Sequence, residues 1–276
     1  VVFYMTTIGV IVNGALGRMG QTVIGAVADA PGVTLLGGAD AAAADGVLTV
    51  AGHFDDLPLR RDIRDLIGET NPQVIVDFTS AEGAMLAIKV AVPEKVRVVS
   101  GSTGLTDVEF DQVRDLAEKY GVGVILASNF ALGAVLLGHL ASIAARYFEY
   151  ADLVESHHEA KADSPSGTAL SLVSAMLHGR QTPFKSTISN KETLDGTRGG
   201  LSGGVNVHSA RMPGRIARHE IVFGTQGQTL TLVHDTVNRD CYMPGVIKAI
   251  EHVVITDTLI VGLQQVLGLN ATQENP

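Results

Sequence analysis

A single cysteine, Cys241, is all the thiol this 276-residue chain carries. An internal disulfide and a multi-cysteine metal knot are therefore excluded. Long apolar runs are missing as well. The hydrophobic share is 46%, yet no run reaches the roughly 18 residues that a membrane span needs. The opening "VVFYMTTIGVIVNG" has no basic leader region and no small-residue cleavage site, so neither a signal nor a transit peptide is expected, and Met5 is a candidate natural start. Positive charge is scarce: 20 Lys and Arg stand against 29 Asp and Glu, a formal net charge of −9. That balance argues against a general nucleic-acid surface, and an anionic small molecule would have to be attracted by local groups. There is no internal repeat, charge block or low-complexity tract. These absences point to a cytoplasmic protein with neither a membrane nor a nucleic acid as partner.

What is present begins with alternation. Over the first 130 residues short β-branched runs alternate with helix-like segments, which predicts a parallel sheet covered on both faces. "TIGVIVNG" (7–14), "VTLLGGAD" (33–40), "QVIVDFTS" (73–80), "VRVVSGSTG" (96–104) and "VGVILASNF" (122–130) read as strands, each ending in small or polar residues, as at a ligand crevice. After about residue 150 the style changes. "ADLVESHH", "NVHSARM", "HEIVFGT" and "QTLTLVHDT" read as strands of a mixed sheet, preceded in part by a helix over 167–177. "DGTRGGLSGG" (195–204) reads as a mobile loop. The expected class is α/β: a Rossmann-type parallel sheet in a dinucleotide-binding domain, 1–129, and a second α+β domain on a mixed sheet, 130–240. Residues 241–276 pack back on the first domain, and a cleft lies between the two.

"VNGALGRMG" spaces glycines at 14, 17 and 20 between a strand and a helix. Gly14 permits a sharp turn, Gly17 lets backbone approach a pyrophosphate, and Gly20 lets the helix lie close on its strand. The helix N-terminus offers unpaired N–H groups to the phosphates. The spacing alone is weak, but Asp40 falls at the end of the second strand, where a carboxylate accepts hydrogen bonds from a ribose hydroxyl and repels a 2′-phosphate. Ala41 to Ala44 follow with no basic group, which predicts NADH in preference to NADPH.

"ESHHEAKADSPSGTA" (155–169) gathers two histidines, a lysine and a helix-opening signal. His157 and His158 titrate near neutrality, so either can exchange a proton at working pH. Lys161 is four residues beyond the first and three beyond the second, within reach of one of them across a helical turn. Ser166 suits an N-cap, and Gly167 and Thr168 would then offer first-turn N–H groups to an anion. Taken singly, each is more often a solvated charge, a satisfied polar residue or a plain cap. A metal site is the weaker reading, because H-E-x-x-H is missing and adjacent histidines on a strand point opposite ways.

Together these motifs resemble the dihydrodipicolinate reductase family over nearly the full length: "NGALGRMG", "VDFTS", "SGSTG", "ASNFALG" and "ESHHEAKADSPSGTA". The resemblance implies hydride transfer from NADH, with NADPH possible, to a conjugated cyclic imine dicarboxylate of lysine and diaminopimelate biosynthesis, with protonation of a neighbouring ring carbon. It also implies a homotetramer built through the second domain's sheet. By the same resemblance His157 and Lys161 are catalytic, and His158, Ser166, Gly167 and Thr168 hold substrate. Gly14, Ala15, Leu16, Gly17, Arg18, Met19, Asp40, Phe78, Gly101, Ser102, Thr103, Ala127, Ser128, Asn129, Phe130 and Arg239 then contact the cofactor, with Tyr242 close by. No metal is implied. The chain departs from the family pattern at Ala160, where many members have histidine, and at Glu159, where basic or neutral residues are usual. A carboxylate about 4 Å from a bound carboxylate costs roughly 4 kcal/mol at an effective dielectric near 20. The orientation of Glu159 therefore bears on whether another cyclic imine is the substrate. A dinucleotide-binding sensor without turnover is the reading from a different class.

Overall fold

The computed structural model describes residues 7–52, 56–187 and 191–269. The candidate start at Met5 lies outside them. Val10, Ile11 and Val12 are consecutive and all fully buried in the first strand, β1 (Ile8–Asn13). Burial of successive residues means that both faces of the sheet are covered, as in parallel sheets flanked by helices. The chain continues through α1 (Arg18–Asp29), β2 (Val33–Ala39), β3 (Gly46–Leu48), β4 (Leu57–Arg60), α2 (Ile63–Thr70), β5 (Val74–Asp77), α3 (Ala81–Ala91), β6 (Arg97–Ser100), α4 (Asp107–Tyr120) and β7 (Val124–Leu126).

A second compact unit covers residues 132–241. It contains α5 (Leu132–Ala144), β8 (Tyr150–His157), α6 (Gly167–Arg180), β9 (Gly200–Ser202), β10 (Val205–Arg211), β11 (Ala217–Thr225) and β12 (Gln228–Thr236). A 3₁₀ turn (Arg239–Tyr242) leads to α7 (Met243–Val253) and β13 (Leu259–Val261), which return to the first unit. There β13 extends the sheet by pairing parallel with β7.

The first sheet runs β13-β7-β6-β5-β1-β2-β4-β3, parallel throughout except for β3 against β4. β1 has the later strand β5 on one side and β2 on the other, so the winding direction reverses there. In open α/β sheets, ligands bind outside the carboxyl ends of strands at such a point. Beneath it Ile11, Ile75, Ile88, Val98, Val113 and Val124 share one core, each buried aliphatic side chain contributing about 1.5–3 kcal/mol.

The second sheet runs β12-β11-β8-β10-β9 and is mixed: β8 is parallel to β10 and antiparallel to β11. Here burial alternates. His219, Ile221 and Phe223 of β11 are buried and the residues between them are not, the mark of a sheet covered on one face only. The covered face packs with α5 and α6 around Leu137, Leu153, Leu172, Met176 and Phe223. The fold is α/β, a Rossmann-type sheet and a second α+β unit on a mixed sheet. One expectation needs correcting. Part of the glycine-rich stretch 195–204 is strand, not loop: β9 pairs antiparallel with β10 through Gly200, Leu201 and Ser202, which gives the edge of β10 its hydrogen-bond partner.

Candidate active site

Register aligns the first set of predicted residues. Ala39, Asn13, Asp77, Ser100 and Leu126 are successive partners across β2, β1, β5, β6 and β7. Asp40, Gly14, Phe78, Gly101 and Ala127 each follow one of them, so five predicted cofactor residues leave the sheet along one line. Gly14 has φ +84° and Gly20 leaves no room for a side chain, since a Cβ there would lie 1.9 Å from Gly14 O. Gly14 N–H and Ala15 N–H both donate to Ala39 O, which closes the turn. Gly17 is the N-cap of α1 and contributes no side-chain cap, and the first turn has no carboxylate. By contrast Asp62, Ser80, Thr106 and Ser166 cap α2, α3, α4 and α6 with their side chains. The first turn of α1, Arg18 and Met19 included, thus offers N–H groups that suit a pyrophosphate.

Asp40 is held from two sides: Leu16 N–H donates to Oδ2 and Ala42 N–H to Oδ1, each at 2.9 Å. A carboxylate has about four acceptor positions, so capacity remains for hydroxyl donors. The sequence neighbours of Asp40 carry no cation, but register brings Arg60 opposite Ala39. Its guanidinium is committed to Glu69 in a two-pronged pair at 2.8 Å and to the carbonyls of Gly46 and Leu59.

Sequence reasoning missed the group that organises the neighbouring loops. Asp77 is fully buried and accepts four hydrogen bonds, from Asn13 Nδ2 (2.8 Å) and from the hydroxyls of Thr79, Ser100 and Ser102 (2.7 Å each). Ser102 Oγ in turn accepts Thr79 N–H at 2.9 Å. One carboxylate thereby ties the ends of β1, β5 and β6. Phe78 stacks at a tilt on Phe130, centroids 5.6 Å apart. Asn129 accepts Ala131 N–H, while Thr103 and Ser128 are exposed. Arg239 is exposed in the 3₁₀ turn.

The second set sits where two rows of the mixed sheet end. Ser209, Glu155, His219 and His234 are direct partners across β10, β8, β11 and β12. The adjacent row on the same face is Arg211, His157, Ala217 and Thr236. His157 Nδ1 lies 2.5 Å from Glu155 Oε2. Arg211 grips the same carboxylate at both oxygens (2.9 and 2.8 Å), and Ser166 N–H donates to Oε1 at 3.2 Å. Burial alone would raise the Glu155 pKa; hydrogen bonds from Arg211, Ser209, His157 and Ser166 outweigh it and hold the carboxyl at about 2. His157 is pushed below the usual imidazole value by burial, with Glu155 pulling the other way. The His219 ring meets the His157 ring edge-on at 5.3 Å, and burial foremost lowers its pKa to about 4.

His157 is the last residue of β8, and His158 begins a turn closed by Lys161 N–H donating to His158 O. The helical turn imagined there is a single reverse turn. Ser166 caps α6 by accepting Ala169 N–H, as its position predicted. Lys161 Nζ pairs with Asp163 Oδ1 at 2.5 Å, and Gly167 N–H donates to Asp163 Oδ2 at 3.3 Å. Lys161, expected to be catalytic, and Gly167, expected to hold substrate, therefore both meet a carboxylate of the chain itself. Thr168 lies beside Gly167 in the first turn, partly buried. Glu159 is exposed, so its charge is screened by solvent. Among the described residues no three His, Cys, Asp or Glu side chains are grouped so as to hold a metal ion.

The family model described as dihydrodipicolinate reductase, N-terminus, matches residues 8–130, and that of the C-terminus matches 133–267. The chain belongs to the dihydrodipicolinate reductase family. The 4-hydroxy-tetrahydrodipicolinate reductase of Dehalococcoides mccartyi is 41% identical over 265 residues, which span 96% of this chain and 100% of the relative. The enzyme of the same name from Trichormus variabilis is 38% identical over 272 residues, 94% and 98% of the two chains. A solved dipicolinate-bound dihydrodipicolinate reductase from Paenisporosarcina sp. TG-14 has a TM-score of 0.83 at 36% identity, covering 94% of this chain and 99% of that one. The amine dehydrogenase of Mycobacterium smegmatis, at 14% identity and a TM-score of 0.64, shares the fold alone. Dihydrodipicolinate reductases are NAD(P)H-dependent oxidoreductases, and this chain is one of them.

Proposed function

We propose that this protein reduces 4-hydroxy-tetrahydrodipicolinate, by way of dihydrodipicolinate, the conjugated imine left when its hydroxyl departs as water, to tetrahydrodipicolinate in lysine and diaminopimelate biosynthesis. The observation that carries the proposal is the buried His157 on its Glu155 carboxylate, beside Lys161 and the start of α6, in a chain whose relatives carry that activity in their names from end to end. A sensor needs no proton-exchanging imidazole with a dedicated carboxylate partner.

A reduced nicotinamide dinucleotide supplies the hydride. The first turn of α1, with Gly14 to Met19, receives the pyrophosphate. Asp40 accepts the ribose hydroxyls, and Phe78, Gly101 to Thr103, Ala127 to Phe130 and Arg239 complete the contacts. Asp40 presents negative charge where a 2′-phosphate would sit, and Arg60 is engaged elsewhere, so NADH is the preferred donor and NADPH the weaker one.

In the second unit, the N–H groups of Gly167 and Thr168 receive the substrate carboxylates, with His158 assisting and Ser166 holding the helix start, while Lys161 offsets charge near the reacting end. The incoming dianion displaces Asp163 from Lys161 and Gly167, one carboxylate exchanging for another. Holding the imine in place before reaction removes translational freedom and supplies several kcal/mol of the barrier reduction. His157, neutral at rest, gains a proton more readily once a dianion lies nearby, and with Lys161 it supplies the proton to the ring carbon. The uncovered face of the mixed sheet, with exposed Val154 and Val233, is the surface we assign to a cytoplasmic homotetramer.

Steady-state oxidation of NADH and NADPH with enzymatically generated imine tests this reading. Rapid turnover is expected, with kcat/KM higher for NADH, and His157→Ala is expected to lower kcat far more than it weakens NADH binding. No oxidation of either dinucleotide, with binding intact, would favour the sensor. Equal or better use of NADPH would refute the role given to Asp40.

A further inference from the structure

His157 rests on a carboxylate that the steps above leave without a task. Glu155 lies two residues earlier on β8, on the same face, and is fully buried. Its two oxygens meet His157 Nδ1 at 2.5 Å, Arg211 Nη1 and Nη2 at 2.9 and 2.8 Å, Ser166 N–H at 3.2 Å and the Ser209 side chain. Arg211 is fixed further by donating Nη2 to Asp163 O at 2.7 Å. The groups facing the Glu155–His157 pair come from every neighbouring element: Arg211 and Ser209 from β10, His219 from β11, Ser166 from the start of α6, and Lys161 from the turn after β8. Behind His219 stands His234 of β12.

We propose that Glu155 is the positioning residue of the reaction, fixing His157 in the tautomer that carries its proton on Nδ1 and so reserving Nε2 for proton exchange with substrate. The inference rests on the proposed role of His157 and adds to it the identity of the nitrogen and the group that selects it. A carboxylate held by an arginine stays ionised and only accepts, so Nδ1 must donate to it. Neutral imidazole has one N–H, and Nε2 is left with its lone pair. When Nε2 takes up a proton from solvent the ring becomes a cation, directly against Glu155. When the substrate carbon takes that proton, a C–H bond forms and the N–H electron pair returns to Nε2. The ring is then neutral again, with Nδ1–H untouched. Arg211 has a separate duty: by balancing Glu155 it keeps the carboxylate from drawing the Nδ1 proton away.

A carboxylate that merely ties β8 to β10 through Arg211 would have none of these consequences, and the two cases separate experimentally. Nitrogen-15 spectra of His157 in the unmodified, ligand-free protein are expected to show the proton on Nδ1; a proton on Nε2 overturns the proposal whatever any variant does. In Glu155→Gln, kcat is expected to fall by roughly 10-fold or more, since neutralising the carboxylate that orients an acid/base histidine leaves the wrong tautomer, with KM for the imine and the Kd for NADH within about threefold. The apparent pKa in the pH profile of kcat/KM should move down in Glu155→Gln and up in Arg211→Gln, because the two charges act on His157 with opposite sign. Shifts in the same direction, or unchanged kcat and profile with only a lower Tm, contradict the proposal. His157→Ala serves as the control: retained turnover there would remove the parent reading of His157, while the tautomer measurement still reports on Glu155 by itself.

Discussion

His219 is buried beside the site, 3% exposed, and its Nδ1 has no hydrogen-bond partner among the described residues. Its Nε2 is 3.3 Å from Ser166 Oγ, the hydroxyl that also caps α6. Burial lowers its pKa to about 4, so between pH 6.5 and about 4 the unfolded chain binds a proton there that the folded chain refuses. This residue's contribution to stability is complete above pH 6.5, falls with pH, and is gone below about 4, up to about 3 kcal/mol in all. Glu155 follows in the next window, stabilising above pH 4.5 and losing that effect toward about 2. Urea unfolding across the range from about pH 7 to about pH 5 should show this loss. His219→Gln is expected to flatten it, leaving the smaller shares of His157 and His234, which burial also holds below their ordinary values. An unchanged slope in the variant would mean that His219 is protonated in the fold. None of this was legible in the sequence. The paired histidines and the lysine announce themselves, being contiguous. Glu155 and Arg211 stand 56 positions apart and are joined by strand register; Ser166 and His219 stand 53 apart and meet only where the start of α6 lies against β11.

Among the elements, the glycine turn and the helix it opens were readable because the motif, the strand before it and the acid after β2 are all local. Two glycines of α1 differ in what they tolerate. A Cβ on Gly20 would lie 1.9 Å from Gly14 O, while Gly25 has nothing within 4 Å. Gly20→Ala should therefore force α1 away from the turn, weaken NADH binding by an order of magnitude or more and cost about 1–3 kcal/mol. Gly25→Ala should leave binding unchanged and stabilise by about 0.5–1 kcal/mol through helix propensity. Calorimetric titration and thermal melts of the two variants check the pair, and equal behaviour would dismiss the close-approach argument. The missed elements failed for physical reasons. β3 and β9 are three residues each, too short for a period to show, and β4 contains Pro58, which reads against a strand. The residues of β9 are glycine-rich and pass for loop until β10 supplies a partner. Asp77 sits in "VDFTS" in plain view, but its four donors come from three different strand ends.

For the whole molecule, the change of style after about residue 150 marked the passage from a parallel to a mixed sheet, and burial gives its reason: continuous in β1, alternating in β11. The reaction assigned to the molecule has two halves, a hydride from the dinucleotide and a proton supplied through His157 and Lys161, and these label different atoms of the product. The most direct measurement is therefore product analysis after a single pass with NADH deuterated at the transferred position, in ordinary water, and again with ordinary NADH in deuterated water. One deuterium per product molecule is expected in each case, on two neighbouring ring carbons, the first from the cofactor and the second from solvent. A product without cofactor-derived deuterium, or with both labels on one carbon, would contradict the reaction assigned.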